Sequence, residues 1–311
     1  MALSNIPRVR KAVFPVAGLG TRLLPATKVM PKEMLPVVDR PLIQIAVEEA
    51  QEAGIDEFIF VTSHGKEMLV EHFEDAPELV DVLRNRGKLD QIAKVNAVTL
   101  PDRALATALQ NKPLGLGHAV WCAQQLVGDE PFAVLLPDDI IRGPRGCLAQ
   151  MMDVYHRQGG NVIAVCEVAK ADTSKYGILD IAGQDGNVVK VKGLVEKPSP
   201  DHAPSNMAII GRYILQPGLF THLARHERGA GGEIQLTDAM ARLLADEPFF
   251  GVLFEGERLD CGTDKGFVMA QIAYALDQPA LADAVAAYME QKLQVYRDKA
   301  ETLASRRVAN G

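Results

Sequence analysis

A strand, a glycine- and proline-rich loop, a helix and a second strand follow one another near the start of the chain, and this order constrains the fold more than any other feature. The apolar run KAVFPVA, residues 11–17, predicts a buried strand. Apolar residues recur at helical spacing over residues 42–53, with Pro41 suited to the first helical position and Gly54 to the cap. EFIFVT, residues 57–62, predicts the next strand, and βαβ units of this kind build parallel sheets.

The second half of the chain keeps apolar strands but changes their arrangement. FAVLL, residues 132–136, predicts a buried strand that runs directly into Pro137-Asp138-Asp139. Short alternating segments with turn signals at Gly183, Asp185-Gly186 and Gly193 predict antiparallel strands over residues 177–194. These features indicate an α/β core whose second half is mixed.

Composition and charge argue against several classes of protein. Apolar residues make up 48% of the 311 residues, which supplies a sizeable core and argues against disorder. The formal net charge is -7 and Lys and Arg form no long run, so binding to nucleic acid is not expected. The four cysteines form no CxxC pair and are expected to be reduced thiols. Because no signal-like region or apolar stretch of ~20 residues occurs, no membrane span is expected and the expected location is cytoplasmic.

The loop that follows the first strand has the composition of a phosphate site. Its first residues read GLGTR, and glycines let backbone N–H groups approach anionic oxygens closely. A dinucleotide-binding loop is disfavoured, because the third glycine position of that fingerprint is Leu23. Pro25, Pro31 and Pro36 also prevent the long helix that such a loop would open.

The same loop is stiffened by proline and carries several cations. Arg22, Lys28 and Lys32 lie within it, with Thr21 and Glu33 beside them. A stiff cationic loop suits a triphosphate, because little entropy is lost when it binds. An ordinary solvated loop with scattered charges is the alternative.

The segment GLGTR-x-LPATK-x-x-PKEMLPV resembles the signature of bacterial UTP–glucose-1-phosphate uridylyltransferases, within the wider sugar-phosphate nucleotidyltransferase family. Further matching segments are GLGHAV (115–120), GDEP (128–131), LPDD (136–139), VEKP (195–198), APSNMAIIGR (203–212), GEIQLTD (232–238) and LDCG (259–262). The resemblance covers about residues 9–275. It implies a Rossmann-like nucleotidyltransferase core with a mixed central sheet, Mg²⁺ as cofactor, and UDP-glucose and pyrophosphate as products of UTP and glucose 1-phosphate. The C-terminal helices are expected either to cover the core or to make the subunit contacts through which family members form dimers and tetramers, and a homodimer or homotetramer is expected.

The resemblance assigns roles by matching position. Nucleotide binding falls to Ala17, Gly18, Gly20, Thr21, Glu33, Gln110 and Gly115. The catalytic cations are Arg22, Lys32 and Lys197. The metal ligands are Asp138 and Asp260. Contacts to the sugar phosphate are expected from Asp139, Gly177, Glu196 and Asn206.

Part of this assignment follows from the residues themselves. Asp138 comes directly after a buried strand, so its carboxylate is expected at the carboxyl end of a parallel sheet, where open α/β sheets bind ligands. Mg²⁺ prefers one or two carboxylates with phosphate oxygens and water. Asp138 and Asp260 meet that count, but the sequence does not itself pair them, and a turn-forming Asp after Pro137 is the alternative.

One segment departs from the family pattern. The family has Lys directly before the residue that corresponds to Gly115, whereas this chain has Leu114, with Lys112 two residues earlier. Strict preference for UTP therefore stays open, and the alternatives are the same chemistry with another base, as in dTTP, or with another sugar. A non-catalytic nucleotide-sugar sensor is a separate alternative. His118, in the predicted helix that follows, fits a place near the base or a structural role.

The predicted domain division has two parts. Residues 1–263 form the catalytic domain, with a nucleotide half at about 9–145 and a sugar-phosphate half at about 146–263. Residues 264–311 form a helical appendage that is broken at Pro279.

Overall fold

The computed structural model describes residues 6–309, and their side chains as far as residue 299. The first five residues of the predicted catalytic domain and the last two of the appendage lie outside this part. The strands are β1 (Lys11–Pro15), β2 (Pro36–Val37), β3 (Arg40–Pro41), β4 (Glu57–Thr62), β5 (Leu105–Leu109), β6 (Phe132–Leu135), β7 (Asp139–Arg142), β8 (Asn161–Glu167), β9 (Gly177–Asp185), β10 (Val188–Glu196), β11 (Met207–Leu215), β12 (Phe249–Leu253) and β13 (Glu257–Asp260).

Helices alternate with these strands. They are α1 (Leu42–Glu52), α2 (Met68–Glu71), α3 (Pro77–Asn85), α4 (Leu89–Asn96), α5 (Leu116–Cys122), α6 (Gln124–Val127), α7 (Cys147–Gln158), α8 (Leu219–Leu223), α9 (Leu236–Leu243), α10 (Asp264–Asp277) and α11 (Ala282–Ala309). Among the helices of residues 6–309, none is both long enough and apolar enough to cross a membrane.

A mixed sheet of nine strands forms the centre of the described chain, in the order β5-β4-β1-β6-β11-β8-β12-β10-β9. The first four strands run parallel to one another. Beyond them, β11 is antiparallel to both β6 and β8, and β9 and β10 form an antiparallel hairpin. The predicted α/β fold with a mixed sheet and added antiparallel strands is confirmed.

The parallel half explains why four distant segments meet. Ala12, Val13 and Phe14 of β1 are fully buried, which anchors this strand in the centre of the sheet. Because β1, β4, β5 and β6 are parallel, the segments that follow them leave the sheet at one edge. The glycine loop, Lys66, Gln110 and Asp138 are therefore neighbours in space.

Helices cover the two faces of the sheet. Along β1 the side chains alternate, so that Ala12 and Phe14 pack on one face and Val13 on the other. Helices α1 and α7 contribute to the first core, whereas α5, α8 and α9 contribute to the second. The sheet is therefore buried on both faces, which fits its run of apolar strands.

Three local predictions are corrected. Helix α1 begins at Leu42, and Pro41 lies in β3 with an extended ψ of 151°, since proline's fixed φ suits both conformations. Gly183 and Gly193, predicted as turns, lie inside strands β9 and β10. The turn predicted at Asp185-Gly186 is confirmed, with a φ of 58° at Gly186. A Cβ at Gly193 would lie 3.1 Å from the Cβ of Asp180, in the bulged part of the hairpin.

The C-terminal helices begin where the sequence places them. Helix α10 ends before Pro279 and α11 starts after it, so the predicted break is confirmed. Helix α10 packs through Phe267 and Ala270 on a small core that includes Leu259 of β13 and Ile140 of β7. The division into a catalytic domain and an appendage stays a prediction.

Candidate active site

A cleft runs along the sheet edge where the parallel strands end. It consists of three adjoining cavities of about 330, 330 and 470 Å³, and Leu116 and Glu233 line all three. The glycine loop and Gln110 line one cavity, Lys32 and Asp138 a second, and the residues at the start of β9 and the end of β10 the third. Most of the residues assigned from the sequence therefore share one cleft.

Lys66, which was not predicted from the sequence, forms hydrogen bonds to the backbone at the start of the glycine loop. Its Nζ donates to the carbonyl oxygens of Val16 and of Gly18, the latter at 2.7 Å. It also forms an ion pair at 3.2 Å with Glu33, whose side chain is 1% exposed. Glu33 was predicted among the nucleotide-binding residues. Its carboxylate is buried against Lys66, through which it supports the backbone of the loop.

Both side chains of the Glu33–Lys66 pair are buried. Burial raises the pKa of Glu33 and lowers the pKa of Lys66, and the attraction between the two groups opposes both shifts. The two carbonyl bonds favour the charged amine as well. Lys66 therefore bonds the loop backbone, and Glu33 holds the charged Lys66 in place, so both residues are needed to fix the loop.

Gly20 is required where the loop folds back on itself. Its φ is 64°, and its carbonyl oxygen accepts from Thr27 Oγ1 at 2.7 Å. A Cβ at this position would lie 3.2 Å from the Cβ of Lys32. A side chain here would be strained and would push the lysine aside.

The predicted base-binding residues lie on the far side of the same loop. Gln110 is 7% exposed, and its Nε2 donates to Gly115 O at 3.1 Å and approaches His118 Nδ1 at 2.9 Å. A Cβ at Gly115 would lie 2.8 Å from Ile234 O, so only glycine allows this close approach. The approach brings Glu233 into the cleft beside Gly115.

The structure pairs the two predicted metal ligands. Strands β7 and β13 are antiparallel with Asp260 opposite Asp139, and Cys261 N donates to Asp138 O at 2.7 Å. A Cβ placed on Gly262 would lie 2.9 Å from Asp138 Oδ2 and 3.1 Å from Asp260 Oδ1. The two carboxylates therefore face one small space that exists because residue 262 is glycine.

Lys32, from the glycine loop, is paired with the carboxylate of Asp138. Its Nζ bonds Asp138 Oδ2, and both side chains are 22% exposed. Burial disfavours the charge on Lys32, but Asp138 outweighs it and raises the pKa of the lysine. Burial likewise opposes ionisation of Asp138, but Lys32 holds the pKa of this carboxylate below its ordinary value. Both groups are charged at neutral pH, and Arg22 lines the same cavity.

The third cavity is lined by residues predicted to bind the sugar phosphate. Lys197 Nζ forms an ion pair with Glu196 at 3.1 Å, and its backbone has a φ of 47°. A Cβ at Gly177 would lie 2.9 Å from Thr237 Oγ1, which keeps this wall close-packed. Asn206 is exposed and does not line the cavity.

Asp139 lines this cavity but is already bonded to the protein. Its carboxylate accepts from Arg258 Nε at 2.6 Å and from Gly211 N at 3.0 Å. Arg258 also lies over the ring of Tyr176, 5.1 Å from its centroid. The carboxylate therefore braces β7 against β11 and β13.

Three residues were missed in the sequence: Glu233 and Arg258, which line the cleft, and Lys66, which bonds the glycine loop. Lys66 follows β4, so a lysine just after the second parallel strand was the available signal. Glu233 lies in the matched segment GEIQLTD and received no role. Arg258 had no local signal, because its partner Asp139 is distant in sequence.

A family model for nucleotidyl transferases matches residues 11–276, and the chain belongs to this family. It is 50% identical over 258 residues to the UTP–glucose-1-phosphate uridylyltransferase of Komagataeibacter xylinus, and the match covers 83% of this chain and 91% of the relative.

Solved structures agree with this family. A UTP-bound UGPase from Acinetobacter baumannii has a TM-score of 0.82 and 38% identity, covering 93% of this chain and 99% of that one. A UDP-glucose pyrophosphorylase complexed with UDP-glucose has a TM-score of 0.78 and 38% identity, covering 87% and 100%. The resemblance indicated by the motifs is confirmed.

Proposed function

We propose that this chain transfers the uridylyl group of UTP to glucose 1-phosphate, giving UDP-glucose and pyrophosphate. The observation that carries the proposal is the placement of Asp138 and Asp260 around Gly262, between the cationic glycine loop and the wall that holds Lys197. The high identity to a relative of the same named activity supports the substrates.

The carboxylate pair fits Mg²⁺. Among the described side chains, no group of three or more His, Cys, Asp or Glu could hold a metal, so a metal here rests on two carboxylates with substrate oxygens and water. That donor set is the one Mg²⁺ prefers at phosphate sites. Asp138 and Asp260 would hold the ion, and when bound it supplies charge neutralisation and polarisation at the phosphoryl oxygens.

The reaction needs positioning more than proton transfer. An oxygen of glucose 1-phosphate attacks the α-phosphorus of UTP, and the bond from that phosphorus to the oxygen bridging the β-phosphorus breaks. The electron pair leaves with pyrophosphate. Since a phosphate monoester is largely dianionic above about pH 6, the nucleophile is ready without a general base. The obstacle is repulsion between anions, which Arg22, Lys32 and Lys197 reduce by bringing cations to the cleft.

The remaining contacts follow the geometry of the cleft. We assign the base to the cavity of Ala17, Gly18 and Gln110, with Gly20 and Thr21 beneath the phosphates. Gly115 and Glu33 shape this side without requiring direct contact. Gly177 and Glu196, which line the third cavity, are proposed to contact the sugar phosphate. Asp139 lines this cavity but is bonded to Arg258, and Asn206 does not line it, so the roles of these two residues rest on the motif resemblance alone.

Location and assembly stay predictions. The four cysteines are free thiols in the structure, which supports a reducing, cytoplasmic setting. The exposed apolar residues of α11, such as Tyr288 and Tyr296, support the predicted homodimer or homotetramer.

The test is pyrophosphate release from UTP and glucose 1-phosphate, with and without Mg²⁺. We expect release that requires the metal and is lost in Asp138→Asn and Asp260→Asn. UTP and dTTP assayed side by side test the base. No release from any nucleotide at saturating substrates would contradict catalysis and would favour a nucleotide-sugar sensor.

A further inference from the structure

The amide nitrogen of Gln110 lies between Gly115 O and His118 Nδ1, and the carbonyl of Gly115 fixes the orientation of the amide. Its Nε2 is 3.1 Å from Gly115 O and 2.9 Å from His118 Nδ1. A carbonyl oxygen only accepts hydrogen bonds, so the atom that faces Gly115 is the amide nitrogen. That nitrogen has two hydrogens, of which one goes to Gly115 and the other to His118. His118 Nδ1 must then be the unprotonated ring nitrogen, with the ring proton on Nε2.

The arrangement leaves one polar atom of Gln110 for a ligand. Both amide hydrogens are engaged, and no residue within the described side chains donates to Oε1. Gln110 lines the cavity that also contains Ala17 and Gly18. An oxygen that only accepts pairs with a ring N–H, such as N3–H of uracil or thymine, and is repelled by the unprotonated N3 of cytosine.

His118 is held firmly enough to impose this choice. It is 8% exposed, and its ring centroid lies 5.8 Å from that of Trp121 and 5.7 Å from that of His226. The titratable groups that face it in the described chain are His226, from the segment after α8, and the Cys122 thiol at 3.8 Å on its own helix. Burial, with a smaller effect of His226, lowers the pKa of His118 and keeps its ring neutral.

We propose that His118 is a positioning residue for base selection: it accepts the second amide hydrogen of Gln110, holds Gln110 Oε1 toward the base, and so favours a base with a ring N–H over cytosine. The inference rests on the proposed uridylyl transfer. Without the acceptor at position 118 the amide is free to rotate, and a rotated amide offers an N–H to the N3 of cytosine.

The first test compares kcat/KM for UTP and CTP with glucose 1-phosphate. His118→Leu removes the acceptor, whereas His118→Asn places an amide oxygen near the position of Nδ1. We expect the UTP-over-CTP ratio to fall on the order of 10-fold in His118→Leu and to be largely restored in His118→Asn. Cys122→Ala, a change beside His118 that leaves Gln110 untouched, is the matched control and should keep the ratio.

A purely structural role for His118 would lower turnover with both nucleotides and leave the ratio unchanged, and that result overturns the proposal. Failure of the proposed function and failure of the role of His118 also give different results. If the unsubstituted chain releases no pyrophosphate from UTP, the proposed function is contradicted. Turnover with an unchanged ratio in His118→Leu contradicts only the role of His118.

The second test does not depend on the folding of a variant. Ring ¹⁵N chemical shifts of the histidine-labelled chain report which nitrogen carries the proton, and the signal missing in His118→Asn identifies the residue. We expect His118 protonated at Nε2 and unprotonated at Nδ1 near neutral pH. Protonation at Nδ1 would overturn the proposal, because that tautomer cannot accept from Gln110.

Discussion

The two walls of the cleft differ in how firmly their side chains are held. On the nucleotide wall, Glu33 and Lys66 are buried in contact, and Lys32 is paired with Asp138. On the sugar-phosphate wall, the side chain of Lys197 is 43% exposed and pairs only with its neighbour Glu196 among the described residues. Lys32 and Lys66 are therefore positioned before substrate arrives, whereas Lys197 has side-chain freedom to lose on binding, although Asp139 and Arg258 of the same wall are already bonded to each other.

The largest expected effect comes from breaking the nucleotide wall at Lys32. Lys32→Ala removes a preformed cation from the cleft and should lower kcat on the order of 10²–10³ without unfolding the chain. Lys28→Ala is the matched control, because Lys28 lies in the same loop but is exposed. Steady-state kinetics and thermal denaturation check both variants, and near-normal kcat in Lys32→Ala would sink the assignment.

A second change tests the space between the two carboxylates. Gly262→Ala puts a Cβ within 2.9 Å of Asp138 Oδ2, where the metal is proposed to bind. The Mg²⁺ concentration for half-maximal activity should rise roughly 10- to 100-fold, as for other disturbed ligand shells. Gly183→Ala is the control, since its Cβ would meet no atom within 4 Å. An unchanged Mg²⁺ requirement in Gly262→Ala would contradict metal binding in the space between Asp138 and Asp260.

The sugar-phosphate wall should respond in a different parameter. Lys197→Ala should raise the KM for glucose 1-phosphate about 10-fold, because a charged contact to phosphate is lost, and leave the KM for UTP close to normal. Lys192→Ala, on the same hairpin and paired with Asp180 at the surface, should change neither constant. An equal rise in both KM values for Lys197→Ala would contradict the separation of the two walls.

The smallest effect is expected from pH. Burial and His226 lower the pKa of His118. The neutral ring therefore accepts the hydrogen bond from Gln110 at neutral pH, and it becomes protonated only at a pH below the ordinary histidine pKa of about 6.5. The ratio of kcat/KM for UTP to kcat/KM for CTP should therefore fall a few-fold as the pH decreases below about 6.5. The triphosphate is common to both substrates, so its own titration cancels in the ratio. His118→Asn should show a flat profile, and the same decline in that variant would assign the titration to another group.

The parts of this site that were predictable are those with a local signal. The apolar runs of β1, β4 and β6 predict parallel strands, and the residue after each is then expected at one edge. Asp138 and the glycine loop were placed in that way. Motif resemblance added residues such as Lys197, whose own neighbourhood carries no periodic signal.

The parts that were not predictable depend on contacts between distant segments. The proximity of Asp138 and Asp260 follows from the pairing of β7 with β13, which no local pattern encodes. The burial of the Glu33 carboxylate against Lys66 was not predicted, because the two residues are distant in sequence. Arg258 was missed for the same reason, since its bond to Asp139 exists only after the sheet has formed.

The first turn of α10 has a consequence for attempts to shorten this chain. Gly266 approaches Asp260 so closely that an added Cβ would lie 1.9 Å from the Asp260 carbonyl oxygen. Arg142 of β7 bonds Asp277 at the other end of the same helix. Removing α10 would release the strand pair that carries both carboxylates, so a truncation at the predicted boundary should cost metal affinity before it costs solubility. Of the described residues after Pro279, those of α11 pack chiefly on α10, so trimming there should be better tolerated.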